Sequence, residues 1–79
     1  MEKQKVFDIV KEKILDQLPI DESRITESAD LKDDLGADSA NLMMLVMDLE
    51  EAFDTQVEDD AIMGIKTVGD IVNYIASRL

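Results

Sequence analysis

Residues 35–53 read LGADSANLMMLVMDLEEAF, and in this stretch a polar loop passes into a segment with helical periodicity. Apolar residues recur there at intervals of three and four, which is typical of a helix that buries one face. The predicted helix spans about Ser39 to Phe53. Its core stripe consists of Leu42, Leu45, Val46, Leu49 and Phe53.

The start of this helix places a serine at an exposed, electropositive position. Gly36 permits a sharp turn. Either Asp38 or Ser39 can cap the helix, because a short polar side chain accepts hydrogen bonds from unpaired first-turn amides. The Ser39 hydroxyl would lie near the positive end of the helix dipole, where a phosphate ester is electrostatically favoured. Taken alone, the local pattern favours a simple helix cap, since Asp and Ser are common caps.

Helical patterns also precede and follow this segment. A first helix is predicted from about Glu2 to Leu18, and Pro19 stops it because its ring is incompatible with a helix interior. A brief helical turn is predicted over residues 61–63. A last helix begins after Thr67, which forms a capping-box pattern with Asp70.

A long connector joins the first two helices, from Ile20 to Asp38. Apolar residues at Ile25, Leu31 and Leu35 predict that it is pinned over the core. A connection of this length in a small domain is unusual and often functional. The sequence therefore predicts an all-α four-helix bundle, with three main helices and a short third one, in a single domain over residues 1–79.

The composition excludes several classes of protein. The chain has 19 acidic and 8 basic residues, a net charge of −11, and neither cysteine nor histidine. Such a surface repels nucleic acid and attracts basic patches on other proteins. The lack of cysteine suits the reducing cytoplasm, and no stretch approaches the roughly 20 apolar residues of a membrane span. We expect a cytoplasmic protein that its high charge keeps monomeric.

The sequence offers no catalytic equipment. As a hydrolase nucleophile, Ser39 would lack a histidine base. There is no glycine-rich phosphate loop and no Cys/His cluster for a metal. The acidic run 30–36 does not fit an EF-hand, because Lys32 and Leu35 occupy its third and sixth positions. We therefore expect neither an enzyme nor a metal site.

The chain resembles the acyl carrier proteins, whose signature is Gly-x-Asp-Ser-Leu followed by an acidic, methionine-containing helix. The matching stretches are 35–42 (LGADSANL), 45–54 (LVMDLEEAFD) and 66–75 (KTVGDIVNYI), in the family's order and spacing. The resemblance implies that Ser39, with Asp38 beside it, carries a 4′-phosphopantetheine arm. A phosphopantetheinyl transferase would move this arm from coenzyme A. The arm would then hold acyl groups as thioesters for acyl-transferring and chain-elongating enzymes with basic patches.

The resemblance also implies two binding surfaces. Partner enzymes of the family contact the second helix, and the matching positions here are Asp38, Ala40, Met43, Met44, Met47, Glu50 and Glu51. Exposed methionines suit a surface that meets several partners, whereas the alternative is that they fill gaps in the core. The family shelters its acyl chain between helices. The corresponding lining residues are Leu31, Leu49, Val57, Ile62, Ile65 and Ile71.

Three positions depart from the family pattern. Ala40 stands where a leucine usually follows the serine, and Asn41 and Met44 stand at commonly acidic positions. These departures leave the modification site intact and predict altered partner choice. The leading function is a carrier of fatty acid biosynthesis. The alternatives are a discrete carrier of a specialised polyketide, lipid or peptide pathway, and a helical adaptor without a prosthetic group.

Overall fold

Four α-helices and one 3-10 turn form the fold in the computed structural model, which describes residues 2–79. The helices are α1 (Lys3–Gln17), α2 (Ser39–Phe53), α3 (Asp59–Gly64) and α4 (Val68–Arg78). The 3-10 turn covers Glu22–Arg24. Over the described range the β pairing is limited to an isolated bridge between Asp30 and Thr67, so the all-α prediction is confirmed. Met1, the first residue of the predicted domain, lies outside the described residues.

The core is built where α1 packs against α2 and α4. α1 buries a stripe with four-residue spacing, formed by Val6, Val10 and Ile14. The buried stripe of α2 follows the prediction except at Leu42, which is half-buried because it lies beside an open cleft. The buried residues of α2 are Leu45, Val46, Leu49 and Phe53.

Both ends of α1 lie one residue inside the predicted limits. The helix begins at Lys3, and Glu2 is its N-cap. At the other end Leu18 is already extended, with φ −116° and ψ 132°, and its N–H donates to the Ile14 carbonyl at 2.9 Å. The proline at position 19 explains this, because the residue before a proline is disfavoured in the α-helical region.

The long connector between α1 and α2 is held over the core by its apolar side chains. Ile25, Leu31 and Leu35 are all buried, as the sequence predicts. The connector also contains the 3-10 turn, which periodicity did not reveal. Arg24 in that turn donates from its guanidinium to the carbonyl of Asp34 at 3.0 Å, and this bond ties the two halves of the connector together.

The start of α4 is anchored to the connector by its backbone. Thr67 and Asp70 form the predicted capping box, in which the Thr67 hydroxyl accepts from the Asp70 N–H at 3.1 Å. The first two N–H groups of α4 donate to the connector and not within the helix. The Val68 N–H donates to the Ala29 carbonyl at 3.0 Å, and the Gly69 N–H donates to the Glu27 carbonyl at 2.8 Å. A Cβ at Gly69 would collide with that carbonyl oxygen. Glycine is therefore required here so that the backbone of α4 can approach the backbone of the connector closely, and not because the chain turns.

α3 is longer than the predicted turn, since it starts at Asp59 and ends at Gly64. Its half-buried residues, Ala61 and Ile62, rest on the core. Its beginning is tied to α4 at the surface. There Arg78 pairs with Glu58 at 3.5 Å and stacks over the Tyr74 ring, whose hydroxyl accepts from the Glu58 N–H at 3.4 Å.

Candidate functional site

A tight turn brings the chain from the connector to the first residue of α2. Gly36 adopts φ +76°, a left-handed conformation that favours glycine. Its N–H donates to the Lys32 carbonyl at 3.1 Å, and the N–H of Ala37 donates to the Leu31 carbonyl at 2.8 Å. Ala37 is buried, so the following residue emerges at the surface. Ser39 is exposed there as the first residue of α2.

The cap of α2 is Asp38 and not Ser39. The Asp38 carboxylate accepts from the Asn41 N–H at 2.8 Å, and the Asn41 amide oxygen accepts from the Asp38 N–H at 3.3 Å. This reciprocal pair is a complete capping box. The sequence left both residues open as caps. In the structure Ser39 takes no part in the capping box, and it is exposed at the positive end of the helix dipole.

A cleft of about 200 Å³ opens beside Ser39. It lies between the connector, the first turn of α2 and the segment that precedes α4. Its apolar floor consists of Leu31, Ala37, Leu42 and Ile65. Its charged rim consists of Asp30, Lys32, Asp33, Asp38 and Lys66. The cleft therefore combines an exposed hydroxyl, two cations and an apolar surface.

The structure brings two of the six predicted acyl-lining residues to this cleft, Leu31 and Ile65. The others line no part of it. Leu49, Val57 and Ile71 are buried in the core, and Ile62 is half-buried on α3.

Sequence reasoning missed Ala37 and Leu42 as lining residues. Leu42 had a usable signal, because it follows Ser39 by three residues and such residues share a helix face.

Three methionines on α2 form an exposed apolar surface, which we call the methionine face: Met43, Met44 and Met47. Their exposed fractions are 47%, 57% and 62%, so none of them fills a core gap. The sequence left open whether the methionines fill core gaps, and the structure places Met44 on the surface with the other two. Ala40 is exposed one turn before Met44. Met63 on α3, which sequence reasoning did not assign to any surface, is 87% exposed.

The two predicted acidic contact residues near the end of α2 differ in their surroundings. Glu51 is exposed. Glu50 is half-buried, and its carboxylate accepts from the Val57 N–H at 2.9 Å, so it holds the loop that follows α2. Residues 33–65 contain no lysine or arginine, so the charged residues of α2 and its flanking segments in this range are all acidic.

One carboxylate near the cleft is electrostatically perturbed. The Asp70 carboxylate accepts from the N–H groups of Thr67 at 3.1 Å and Lys66 at 3.0 Å. These backbone hydrogen bonds, the one from Thr67 foremost, hold the pKa of Asp70 below its ordinary value. Asp70 thereby fixes the backbone of Lys66 at the rim of the cleft.

Residues 2–79 offer neither a metal-binding cluster nor a membrane-spanning helix. No three His, Cys, Asp or Glu side chains converge there in a way that could hold a metal ion. Within the same range, no helix has the length and apolar character needed to cross a membrane.

Comparisons with known proteins agree on one family. The phosphopantetheine attachment site family matches residues 8–75. The chain is 49% identical to an acyl carrier protein from Thermotoga maritima over 77 residues, which cover 98% of this chain and 95% of that one. It is 46% identical to an acyl carrier protein from Exiguobacterium sibiricum over 79 residues, with 100% of both chains covered.

Solved structures with the same fold carry similar names. An acyl carrier protein from Enterococcus faecalis superposes with a TM-score of 0.84, at 35% identity and with 100% of both chains covered. A putative acyl carrier protein from Mycobacterium tuberculosis superposes with a TM-score of 0.87, at 34% identity, covering 94% of this chain and 99% of that one.

Proposed function

We infer the details of function from one premise: the chain belongs to the acyl carrier proteins, and phosphopantetheine is its prosthetic group. We propose that Ser39 is the attachment residue. It is exposed at the start of α2, inside the matched residues 8–75. The main support for this proposal is that the Asp38 carboxylate caps the helix, which leaves the Ser39 hydroxyl available for esterification.

The residues around Ser39 fit a phosphodiester. The first-turn amides and the helix dipole favour an anion at this end of α2. When bound, the prosthetic group supplies a terminal thiol that holds an acyl group as a thioester. The chain's own residues position the group: Asp38 fixes the helix start, and the adjoining cleft offers the apolar Leu31 and Ile65 to the cargo. On this proposal the chain delivers the cargo and leaves the bond chemistry to partner enzymes.

We propose that partners bind α2 through the methionine face together with its acidic surroundings. The absence of lysine and arginine from residues 33–65 favours partners with basic patches, which also steer the encounter of the two proteins. Exposed methionine is flexible and polarizable, so it adapts to differently shaped apolar surfaces. Asp38, Ala40 and Glu51 are exposed and extend this surface. Glu50 contributes less, because its carboxylate is already engaged by the loop after α2.

Fatty acid biosynthesis is the pathway that we propose, because the chain keeps the acidic charge and the LVMDLEE stretch of the acyl type. A discrete carrier of a specialised polyketide, lipid or peptide pathway is the second candidate. One observation bears on it, since Met44 and Ala40 present apolar surface where the family pattern differs, but the relatives, which are named acyl carrier proteins, do not favour it. The two pathways are distinguished by the acyl group that the protein carries in cells, which is identified from the mass of the isolated thioester.

Intact-mass spectrometry tests the attachment site. The chain is incubated with coenzyme A and a broad-specificity phosphopantetheinyl transferase, beside the variants Ser39→Ala and Ser28→Ala. Ser28 is an exposed serine in the connector and serves as the matched control. We expect one phosphopantetheine on the wild type and on Ser28→Ala, and none on Ser39→Ala. Addition to Ser39→Ala, or none to the wild type, contradicts the proposal.

A further inference from the structure

The lysines of this chain are unevenly placed. Four of the six lysines lie within residues 3–13, in α1. The other two are Lys32 and Lys66, and both line the cleft beside Ser39. No lysine or arginine occurs between them in the sequence. The fold thus places Lys32 and Lys66 at the same cleft, although the 33 residues between them carry only acidic charges.

Backbone hydrogen bonds fix the positions of both lysines on the rim. The N–H of Leu31 donates to the Lys66 carbonyl at 3.0 Å, which joins the two sides of the rim directly. The N–H of Lys66 donates to the Asp70 carboxylate at 3.0 Å, and the N–H of Lys32 donates to the Asp30 carboxylate at 2.9 Å. The main chain is therefore ordered, while both exposed side chains keep the freedom to reach a ligand.

The charges on the rim suggest what these two lysines do. Three carboxylates share the rim, those of Asp30, Asp33 and Asp38. A phosphodiester on Ser39 would add a further negative charge beside them. Like charges at short range raise the free energy of the site, and nearby ammonium groups lower it. Lys32 and Lys66 offset two of these four negative charges at the point where the phosphodiester would lie.

We propose that Lys32 and Lys66 are a positioning pair for the phosphodiester on Ser39 and that they hold the first part of the arm along the cleft. The inference rests on the proposed attachment at Ser39. The ammonium groups pair with the phosphodiester oxygens. The dimethyl carbon that follows in phosphopantetheine then packs on the apolar floor, at Leu42 and Ile65. No covalent step is involved, and the pair acts by orienting the arm toward the cleft.

Nuclear magnetic resonance of the phosphopantetheine-loaded protein tests the pair. The probe is the phosphopantetheine arm itself. Its dimethyl protons are examined for nuclear Overhauser contacts with the methyl groups of Leu42 and Ile65. The wild type is compared with Lys32→Gln/Lys66→Gln and with Lys3→Gln/Lys5→Gln. The second double variant loses the same two charges from exposed positions of α1.

We expect clear contacts in the wild type and in the α1 variant. In Lys32→Gln/Lys66→Gln the ratio of arm in the cleft to arm in solvent should fall about threefold to tenfold, because exposed ion pairs are individually weak. The wild type should show a similar loss in about 1 M salt, where the Debye length shrinks to about 3 Å.

The intact mass of each sample shows whether phosphopantetheine is attached, so a failure of the attachment proposal can be distinguished from a failure of the positioning pair. Complete loading of all three proteins with equal contacts in each, or contacts in none, overturns the positioning pair and leaves attachment at Ser39 standing. Loss of contacts in both double variants alike overturns it as well, since net charge rather than the cleft would then be responsible. No loading of the wild type overturns the attachment at Ser39 and the pair with it.

Discussion

Replacing Gly69 with alanine should destabilise the fold, although alanine is the better helix former. The carbonyl oxygen of Glu27 accepts from the Gly69 N–H at 2.8 Å, and a Cβ built on Gly69 would lie 2.9 Å from that same oxygen. Because this oxygen belongs to the backbone, it cannot move away by a change of rotamer as the end of a side chain could. To relieve the contact, the connector must move away from α4 and weaken this hydrogen bond.

The magnitude follows from two opposing effects. Alanine gains roughly 0.5–1 kcal/mol over glycine inside a helix. Overpacking a close contact costs about 1–3 kcal/mol. The difference of these ranges is about 0–2.5 kcal/mol, so we expect Gly69→Ala to lower the free energy of unfolding by about 1 kcal/mol. This corresponds to a fall in Tm of about 4–8 °C for a domain of this size. Urea and thermal unfolding, followed by far-ultraviolet circular dichroism, measure both quantities.

Gly64→Ala is the matched control for this change. A Cβ at Gly64, the last residue of α3, meets no heavy atom within 4 Å. We expect that variant to be as stable as the wild type, or more stable by up to about 1 kcal/mol. If Gly69→Ala is also as stable as the wild type, the close approach to Glu27 does not constrain the chain and the steric argument is wrong.

Three further changes test the cap, the perturbed carboxylate and the partner surface. Asp38→Ala removes the capping box of α2 and should lower the free energy of unfolding by about 1 kcal/mol in urea titrations; an unchanged midpoint would contradict the assignment of the cap. The folded pKa of Asp70 is depressed, so its contribution to stability is present above its unfolded pKa of about 3.9 and is lost as pH falls through the folded value. Asp70→Asn should therefore flatten the loss of stability in acid, as measured by urea midpoints at successive pH values, and an equally steep loss would refute this. Ala40→Leu with Met44→Glu restores the family pattern at two exposed positions and should speed turnover by fatty-acid enzymes with basic docking surfaces, whereas unchanged kinetics would show that these positions do not select partners.

Much of the fold could be predicted because its helices are strongly periodic. The spacing of Val6, Val10 and Ile14 is local information, and so is the capping pattern of Thr67 with Asp70. The 3-10 turn depends instead on a bond from Arg24 to a carbonyl ten residues away, and no local pattern reports such a bond.

The position of Ser39 could be predicted, whereas the cleft beside it could not. The Gly-x-Asp-Ser order places the serine at a helix start, which short-range rules describe well. The cleft joins residues 30–42 to residues 65–66, which are distant in sequence, and the backbone bridge between Asp30 and Thr67 brings the two stretches together. The predicted acyl-lining residues came from the family resemblance, and four of the six lie elsewhere in this structure.

The three departures from the family pattern have different physical consequences. Asn41 keeps the geometry of the site, because its amide oxygen completes the capping box with Asp38. Met44 and Ala40 lie outside that box on exposed surface, and they change what a partner meets without changing how Ser39 is presented. On the proposed function, modification and partner choice would therefore depend on separate residues of one helix. A transferase that needs only the helix start should accept this chain, while an enzyme that reads the following turns should distinguish it from carriers with acidic side chains there.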